Sequence, residues 1–421
     1  MLEAIVSLLI AFVLLLINLY ISKDLFYPSS MFSLIWVLVI LSYTLLLSNH
    51  NSFTYELDPR SLLIFLLGQV FFSVASFFAI KPLKIKREPI YPTIKGNLDK
   101  WILLFLILML PIYINAILRV VSGSKLADVN FYLALRHEYV FNGVNLGILD
   151  YLNPISVFAF AFVQYKFNFS DLQYNRVFRF FYKLSFYLVV FTYAFLSTGR
   201  AYFVLILSIY LIFKIISKKI KKFHIISASL IFLVLFIINA FMLGKGASVD
   251  DSASENVSSI SENFMIYFLG GVYGFDSKIK SGTILDYGEN TFRFFIAVAH
   301  SLGLTNTKPN QLVMPYITTP IVSNVYSLYY KYFKDFGYFG LLFNVFWGYL
   351  HTSLYYRVKK RSSFLNIYFY ALLMYPLLMS FFDDQYMSLL STWIQLIFYG
   401  LLANFFIVYN TQTSTKAVNG N

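Results

Sequence analysis

The chain has 421 residues, of which 59% are hydrophobic, 20% aromatic and 13% charged, with a mean hydropathy of +0.68. One soluble core cannot enclose that much apolar surface, so the composition predicts a membrane protein. The absence of cysteine excludes disulfides, thiolate metal sites and a cysteine nucleophile. The formal net charge of +13 is a signal of membrane topology and of attraction to anionic lipid, and it gives no basis for nucleic-acid binding.

Long apolar stretches recur along the whole chain. A helix needs about 20 mostly apolar residues to cross the ~30 Å hydrocarbon core of a bilayer. The first stretch lacks the basic region and the small-residue cleavage site of a signal peptide, so we expect it to be a retained span. Eleven stretches are candidate spans: 2–21, 31–48, 61–80, 101–121, 149–165, 183–198, 201–216, 225–243, 338–356, 364–381 and 389–409.

Lysine and arginine fall mainly on one side of this eleven-span arrangement. Connecting loops that carry these residues favour the cytoplasm. One side collects 21 of the 33 basic residues and only four of the 20 acidic residues. The asymmetry therefore places the N-terminus outside and the C-terminus in the cytoplasm, and the loss or gain of one span would spoil it.

The predicted organisation has three parts. Residues 1–243 hold the first eight spans and an outer loop at 122–148, residues 244–337 form a large outer loop, and residues 338–421 hold the last three spans and a tail. Long segments in a compact membrane protein usually have a function. Both outer loops are therefore candidates for a functional site.

The large outer loop changes character along its length. Its first residues, 244–259, are rich in Gly, Ser and Asp, which predicts a mobile linker or lid. Residues 263–275 and 291–304 are apolar but too short to span a bilayer. We interpret these two segments as re-entrant or interfacial helices.

The motif STGR, Ser197 to Arg200, immediately precedes a predicted span. Small residues and a glycine allow a tight turn, which leaves Arg200 at the outer surface beside a helix N-terminus. A guanidinium fork and helix N-terminal amides together form an anion site in outline. The alternative is an arginine that extends to the lipid head groups.

Two other arginines lie in the outer segments. Arg293 is flanked by aromatic residues in TFRFF, where the charge is either interfacial or directed at a ligand. Arg136 belongs to the outer loop at 122–148, where a solvated helix face is the simpler interpretation.

Aromatic and charged residues are dense before the ninth span. Tyr326 and Tyr330 are four residues apart and share a helical face, and their flat rings and hydroxyls suit sugars. The simpler interpretation is an aromatic belt at the membrane interface. Asp335 is a candidate general base for a sugar hydroxyl, or else the ion-pair partner of Lys334.

A second acidic position lies between the last two predicted spans, at Asp383 and Asp384 in FFDDQYM. Adjacent residues of a helix point in different directions, which argues against a metal site made by this pair. One of the two carboxylates is another candidate base.

In order and kind, these features resemble the bacterial oligosaccharide repeat-unit polymerases, the Wzy-type O-antigen polymerases. The resemblance rests on STGR before a span, the long outer loop late in the chain, the segment NVYSLYYKYFKDFGYFG leading into the next span, and the number of spans. It implies an all-α polytopic integral membrane protein with a GT-C-like glycosyltransferase architecture. The expected location is the bacterial inner membrane, with the active site facing the periplasm.

The activity implied by the resemblance is transfer of a growing glycan from undecaprenyl diphosphate to the non-reducing end of a fresh lipid-linked repeat unit. No metal or cofactor is expected, and a chain-length regulator and a flippase are possible partners besides membrane lipids. Arg200 is the residue expected to hold the diphosphate, and Asp335 is a base or orienting group. The further substrate-binding candidates are Arg293, Arg136, Lys334, Tyr326 and Tyr330.

Two other functions stay open at this point. An O-antigen ligase has similar size and span number but uses a lipid A core sugar as the acceptor. A transporter or flippase would favour paired repeats and charges in the middle of spans, and neither is visible in the sequence.

Overall fold

The computed structural model is almost entirely helical. It describes residues 1–48, 55–79, 91–94, 97–140, 142–169, 175–221, 268–282, 285–311, 314–318 and 322–410, together with six isolated positions between 223 and 234. The predicted linker or lid at 244–259 lies outside the described residues.

The helices follow the predicted apolar stretches. They are α1 (Leu2–Ser22), α2 (Pro28–Ser48), α3 (Pro59–Phe78), α4 (Leu98–Ser122), α5 (Phe131–Val140), α6 (Leu152–Phe169), α7 (Arg176–Leu196), α8 (Arg200–Ile216), α9 (268–281), α10 (Arg293–Ser301), α11 (Tyr329–Phe336), α12 (Leu342–Lys360), α13 (Phe364–Leu378) and α14 (Leu390–Asn404). Short 3-10 helices precede α6 and α12. One feature was not predicted, an antiparallel ribbon that pairs β1 (Tyr91–Ile94) with β2 (Ile407–Asn410).

Six of the described helical segments are long and apolar enough to cross a membrane. They comprise α1 to α4, α7, and the segment Gly147–Phe169 that contains α6. Six such segments make the chain a multi-pass membrane protein. Helices α8 and α13 are apolar but shorter. The predicted span 225–243 lies almost entirely outside the described residues, so the total of eleven spans stays a prediction.

The chain divides into two compact units. Unit 1 consists of Met1–Leu83, Ser261–Tyr356 and Leu373–Ser391, and unit 2 consists of Lys84–Ile260, Arg357–Leu372 and Thr392–Asn421. Each unit is therefore assembled from segments that are far apart in the sequence.

Polar side chains hold the first three helices of unit 1 together. The buried amide of Asn18 on α1 donates hydrogen bonds to Ser33 Oγ on α2 and Ser73 Oγ on α3, both at 2.9 Å. Lipid offers no hydrophobic driving force for helix association, so small residues and hydrogen bonds of this kind stabilise helix pairs in membranes. Ser29 and Ser76 form a second hydrogen bond between α2 and α3.

Helix α11 is buried inside unit 1. Tyr329 on α11 lies directly over Gly68 on α3, where an added Cβ atom would be 2.2 Å from the tyrosine ring. The ring also packs against Trp36 and Phe65, with centroid distances of 5.0 and 5.6 Å. The tyrosine-rich segment, for which an interfacial belt was the simpler interpretation, is therefore a core element of this unit.

Unit 2 has a buried ion pair between its helices. Lys166 on α6 contacts both carboxylate oxygens of Asp99 on α4, at 2.7 and 2.8 Å, and Tyr182 on α7 donates to the same carboxylate at 2.6 Å. Both charged side chains are almost fully buried. A buried charge needs such complete pairing, so these three residues fix the relative positions of three helices.

Candidate functional site

Lys334 and Asp335 are adjacent in sequence but have different partners. Lys334 forms an ion pair with Asp286 at 3.2 Å, so it does not neutralise Asp335. The Asp335 carboxylate is fully buried and accepts hydrogen bonds from the backbone amides of Asn290 and Thr291, at 3.2 and 2.6 Å. It also accepts from the side-chain amide of Asn290 at 2.7 Å. This carboxylate organises the loop before α10.

A chain of hydrogen bonds runs from Asp335 to an arginine. Asn290 accepts a hydrogen bond from the side-chain amide of Asn310 at 3.1 Å, and the backbone carbonyl of Asn310 accepts one from Arg293 Nε at 2.5 Å. Among the described residues, the two terminal nitrogens of Arg293 have no hydrogen-bond partner. The guanidinium is therefore anchored at one edge and presents its fork.

Arg293 lines a small polar cleft in unit 1, with a volume of about 40 Å³. By volume the cleft holds about three water molecules. Two cations, three side-chain amides and two hydroxyls contribute to it, together with three apolar side chains. The lining residues are Asn290, Arg293, Phe294, Asn310, Gln311, Met314, Lys331, Met387, Ser388 and Ser391.

Lys331 supplies the second cation of the cleft. It lies on α11 four residues before Asp335, on the same side of the helix, and only 7% of its side chain is exposed. Its ammonium donates to Ser388 Oγ at 2.5 Å and lies 3.5 Å from Asp383 Oδ2. Sequence analysis did not single out this lysine, because its partners are more than 50 residues away along the chain.

The two neighbouring carboxylates have different environments. Asp384 is fully buried and accepts hydrogen bonds from the Tyr332 hydroxyl at 3.0 Å and the backbone amide of Tyr386 at 3.0 Å. Asp383 is about one-fifth exposed, and its buried Oδ1 atom has no hydrogen-bond partner in the described part of the chain. Asp384 is therefore a structural anchor, whereas Asp383 retains a free oxygen.

Burial shifts the protonation equilibria at this site. Desolvation raises the pKa of Asp383 above its ordinary value, against the opposing attraction of Lys331, and it raises the pKa of Asp384 as well. Desolvation lowers the pKa of the Arg293 guanidinium from its ordinary value. A carboxylate with a raised pKa is a stronger base when it is ionised.

A glycine-rich face of α9 packs against the chain segments that lead to Lys331 and Asp383. An added Cβ at Gly271 would be 2.2 Å from the carbonyl oxygen of Phe381, and one at Gly274 would be 2.2 Å from that of Val325. The backbone of α9 therefore lies directly against the chain before α11 and before Asp383. The spacing GGVYG carried this signal in the sequence, since close backbone approach requires glycine.

The predicted tyrosines are buried beside the cleft rather than in its lining. The rings of Tyr326 and Tyr330 stack with a centroid distance of 4.7 Å. The predicted shared helical face is wrong, because Tyr326 precedes α11 and Ser327 between them is left-handed with φ of +59°. The Tyr326 hydroxyl donates to the carbonyl of Pro315 at 2.6 Å. With both residues at most 5% exposed, their position is that of packed core residues.

In unit 2, the structure brings Arg136 to the STGR turn. Arg136 on α5 donates to the carbonyl of Thr198 at 3.1 Å, and Tyr132 donates to that of Phe195 at 3.0 Å. Thr198 has φ of +56°, which marks the tight turn predicted here. Helix α8 begins at Arg200, and the side chain of Arg200 lies outside the described part of the structure.

In the described part of the chain, no three His, Asp or Glu residues converge in a way that could hold a metal ion. No family model, curated protein or solved structure matches this chain.

Proposed function

We propose that the protein is a glycosyltransferase that polymerises lipid-linked oligosaccharide repeat units, taking a growing glycan from undecaprenyl diphosphate and adding it to a second lipid-linked unit. The observation that carries the proposal is the cleft of unit 1. It combines two anchored cations with amides and hydroxyls. The cleft is too small to enclose a whole lipid-linked sugar, so in the proposal its cations contact phosphate oxygens and its amides and hydroxyls contact the adjoining sugar hydroxyls.

Arg293 and Lys331 are the groups that we assign to the diphosphate. The glycosyl carbon–oxygen bond to the diphosphate breaks in this reaction, and the leaving oxygen gains negative charge. Cations already fixed in position stabilise that charge without reorganisation. A guanidinium offers two parallel donors, while an ammonium acts as a point charge.

Asp383, which does not line the cleft but adjoins its Lys331, is the group that we assign as general base. The acceptor hydroxyl loses its proton to the carboxylate as its oxygen bonds to the anomeric carbon. The Oδ1 atom of Asp383 is without a partner, and its Oδ2 atom adjoins Lys331 at 3.5 Å. Asp335 lacks a free oxygen for this step, so we assign it to the positioning of Arg293 through Asn290 and Asn310.

The proposal retains the sequence expectations for the membrane. Eleven spans and a periplasmic active site agree with the charge asymmetry of the loops. The GT-C-like architecture is retained from the resemblance alone. The turn in unit 2, where α8 begins at Arg200 and Arg136 contacts Thr198, is a second proposed anion site, because a helix N-terminus and arginine residues favour phosphate.

The test is reconstitution of the full-length protein with a purified lipid-linked repeat unit as the only substrate. A ladder of products that differ by one repeat supports the polymerase. A product that forms only after addition of lipid A core identifies a ligase. Movement of the intact substrate across the bilayer without any new glycosidic bond identifies a flippase and refutes a transferase.

A further inference from the structure

The strongest feature outside the cleft is a cluster of lysines in unit 2. Lys214, in the last turn of α8, donates to the side-chain oxygen of Asn168 at 3.2 Å, and Lys219 donates to the backbone carbonyl of the same residue at 2.6 Å. Lys183 on α7 lies 4.5 Å from the ring centroid of the preceding residue, Phe167. Three cations thus converge on one uncharged position at the C-terminal end of α6.

The backbone is shaped to bring this cluster together. Helix α8 ends at Ile216, and Lys218 adopts a left-handed conformation with φ of +55°. This turn reverses the chain, so that the amide of Lys219 donates to the carbonyl of Lys214 at 3.1 Å. Lys214 and Lys219 therefore both contact Asn168 from one short segment.

No carboxylate compensates these charges in the described part of the chain. Helices α6, α7 and α8 contain no acidic residue. Asp99 on α4 packs against α6 and α7, and both of its oxygens are occupied by Lys166 and Tyr182. The C-terminal carbonyls of α6 carry only a partial negative charge, which offsets a fraction of three full positive charges.

We propose that Lys183, Lys214 and Lys219 form a binding site for a phosphate group, with the headgroup of an anionic lipid as the source that their position favours. Lys183 is half-buried on a helix that can cross a membrane, so the cluster lies at the edge of the apolar region, where headgroup phosphates are found. Ammonium groups held by neutral acceptors retain unused donors for phosphate oxygens.

The experiment uses the full-length protein in detergent, with native mass spectrometry after addition of phosphatidylglycerol or phosphatidylcholine. Wild type is expected to retain phosphatidylglycerol at least about tenfold better, because one charge-assisted hydrogen bond corresponds to roughly a tenfold change in affinity. The variant K183Q/K214Q/K219Q is expected to lose this preference. The matched control, K359Q/K360Q/R361Q, removes the same charge from the end of α12 and should retain it.

Inorganic phosphate separates the two possible sources of the ligand. If millimolar phosphate displaces the lipid, the site binds phosphate groups in general; if it does not, the site requires the headgroup. Equal losses in the two triple variants, or equal retention of both lipids by wild type, would overturn the proposal. The single substitution K219Q, at an exposed side chain, should weaken retention in part and gives a readout if the triple variant fails to fold.

Discussion

Substitution of Arg293 is the most direct test of the cleft. Its Nε atom is used by the carbonyl of Asn310, so the two terminal nitrogens remain for a ligand. Each charge-assisted hydrogen bond contributes about 1.5–3 kcal/mol, and partial exposure favours the lower value. Two bonds at about 1.5 kcal/mol give roughly 3 kcal/mol, so Arg293→Ala is expected to lower kcat/KM by about 100-fold.

Arg293→Lys tests whether activity depends on the positive charge of Arg293 or on the geometry of its guanidinium. Lysine retains the positive charge but has neither the Nε anchor nor the parallel donors of the guanidinium. We expect kcat/KM to fall by about tenfold, which is intermediate between wild type and alanine. Initial rates with a purified lipid-linked repeat unit, analysed on ladder gels, provide the measurement.

Arg60→Ala is the matched control for Arg293. Arg60 lies in the same unit, but it is 57% exposed and forms an ion pair with Asp58 in its own helical turn. Its loss should leave kcat/KM within about threefold of wild type, because exposed ion pairs contribute little. Wild-type activity in Arg293→Ala, or equal losses in the two alanine variants, would refute the assignment of the cleft.

Three further predictions concern other positions. Arg200→Ala, but not Arg200→Lys, is expected to shorten product ladders if the turn in unit 2 binds phosphate; unchanged ladders in both variants count against that site. Burial raises the pKa of Asp383, so the contribution of Asp383 to stability is present below about pH 4 and is lost as the pH rises through the folded-state pKa. The Tm of Asp383→Asn should therefore vary less between pH 4 and 7 than the Tm of wild type. Gly271→Ala places a Cβ 2.2 Å from a carbonyl oxygen and should lower the free energy of unfolding by at least about 3 kcal/mol, visible as loss of monodisperse protein on size exclusion. In the control Gly123→Ala, the nearest atoms to the added Cβ are 3.7 Å away, so the elution profile should match that of wild type.

Local patterns predicted the helices well. Apolar stretches of spanning length became α1 to α4, because the hydropathy of a segment depends only on its own residues. The turn at Ser197–Arg200 was predicted from its small residues and glycine, but its left-handed residue is Thr198, and Gly199 is extended with φ of −97°. Arg136 and Tyr132, 62 and 63 residues from their partners, donate hydrogen bonds to the carbonyls there, and these contacts could not be predicted from the local pattern.

The contacts of the candidate site were harder to predict from the sequence. The sequence indicated only that aromatic and charged residues are dense in YYKYFKDF, and the structure shows that these residues have different partners. Lys331 contacts Ser388, whereas Asp335 contacts Asn290. Contacts across 45 to 57 residues depend on how α11 is buried, and periodicity within the segment contains no information about them.

The position of Asp335 leads to a last prediction, on coupling between two residues. If the Asp335 carboxylate acts by holding the loop that anchors Arg293, Asp335→Asn removes part of the contribution of Arg293 to kcat/KM. The effect of Asp335→Asn should then be smaller when residue 293 is already alanine. A double-mutant cycle on kcat/KM should therefore show a coupling energy of about 1 kcal/mol or more, within the range for residues in one hydrogen-bond network. A general base would behave differently, because its loss would add to the loss of Arg293 and change the pH–rate profile. Additive effects with an altered pH profile would return Asp335 to the role of base and remove Asp383 from it.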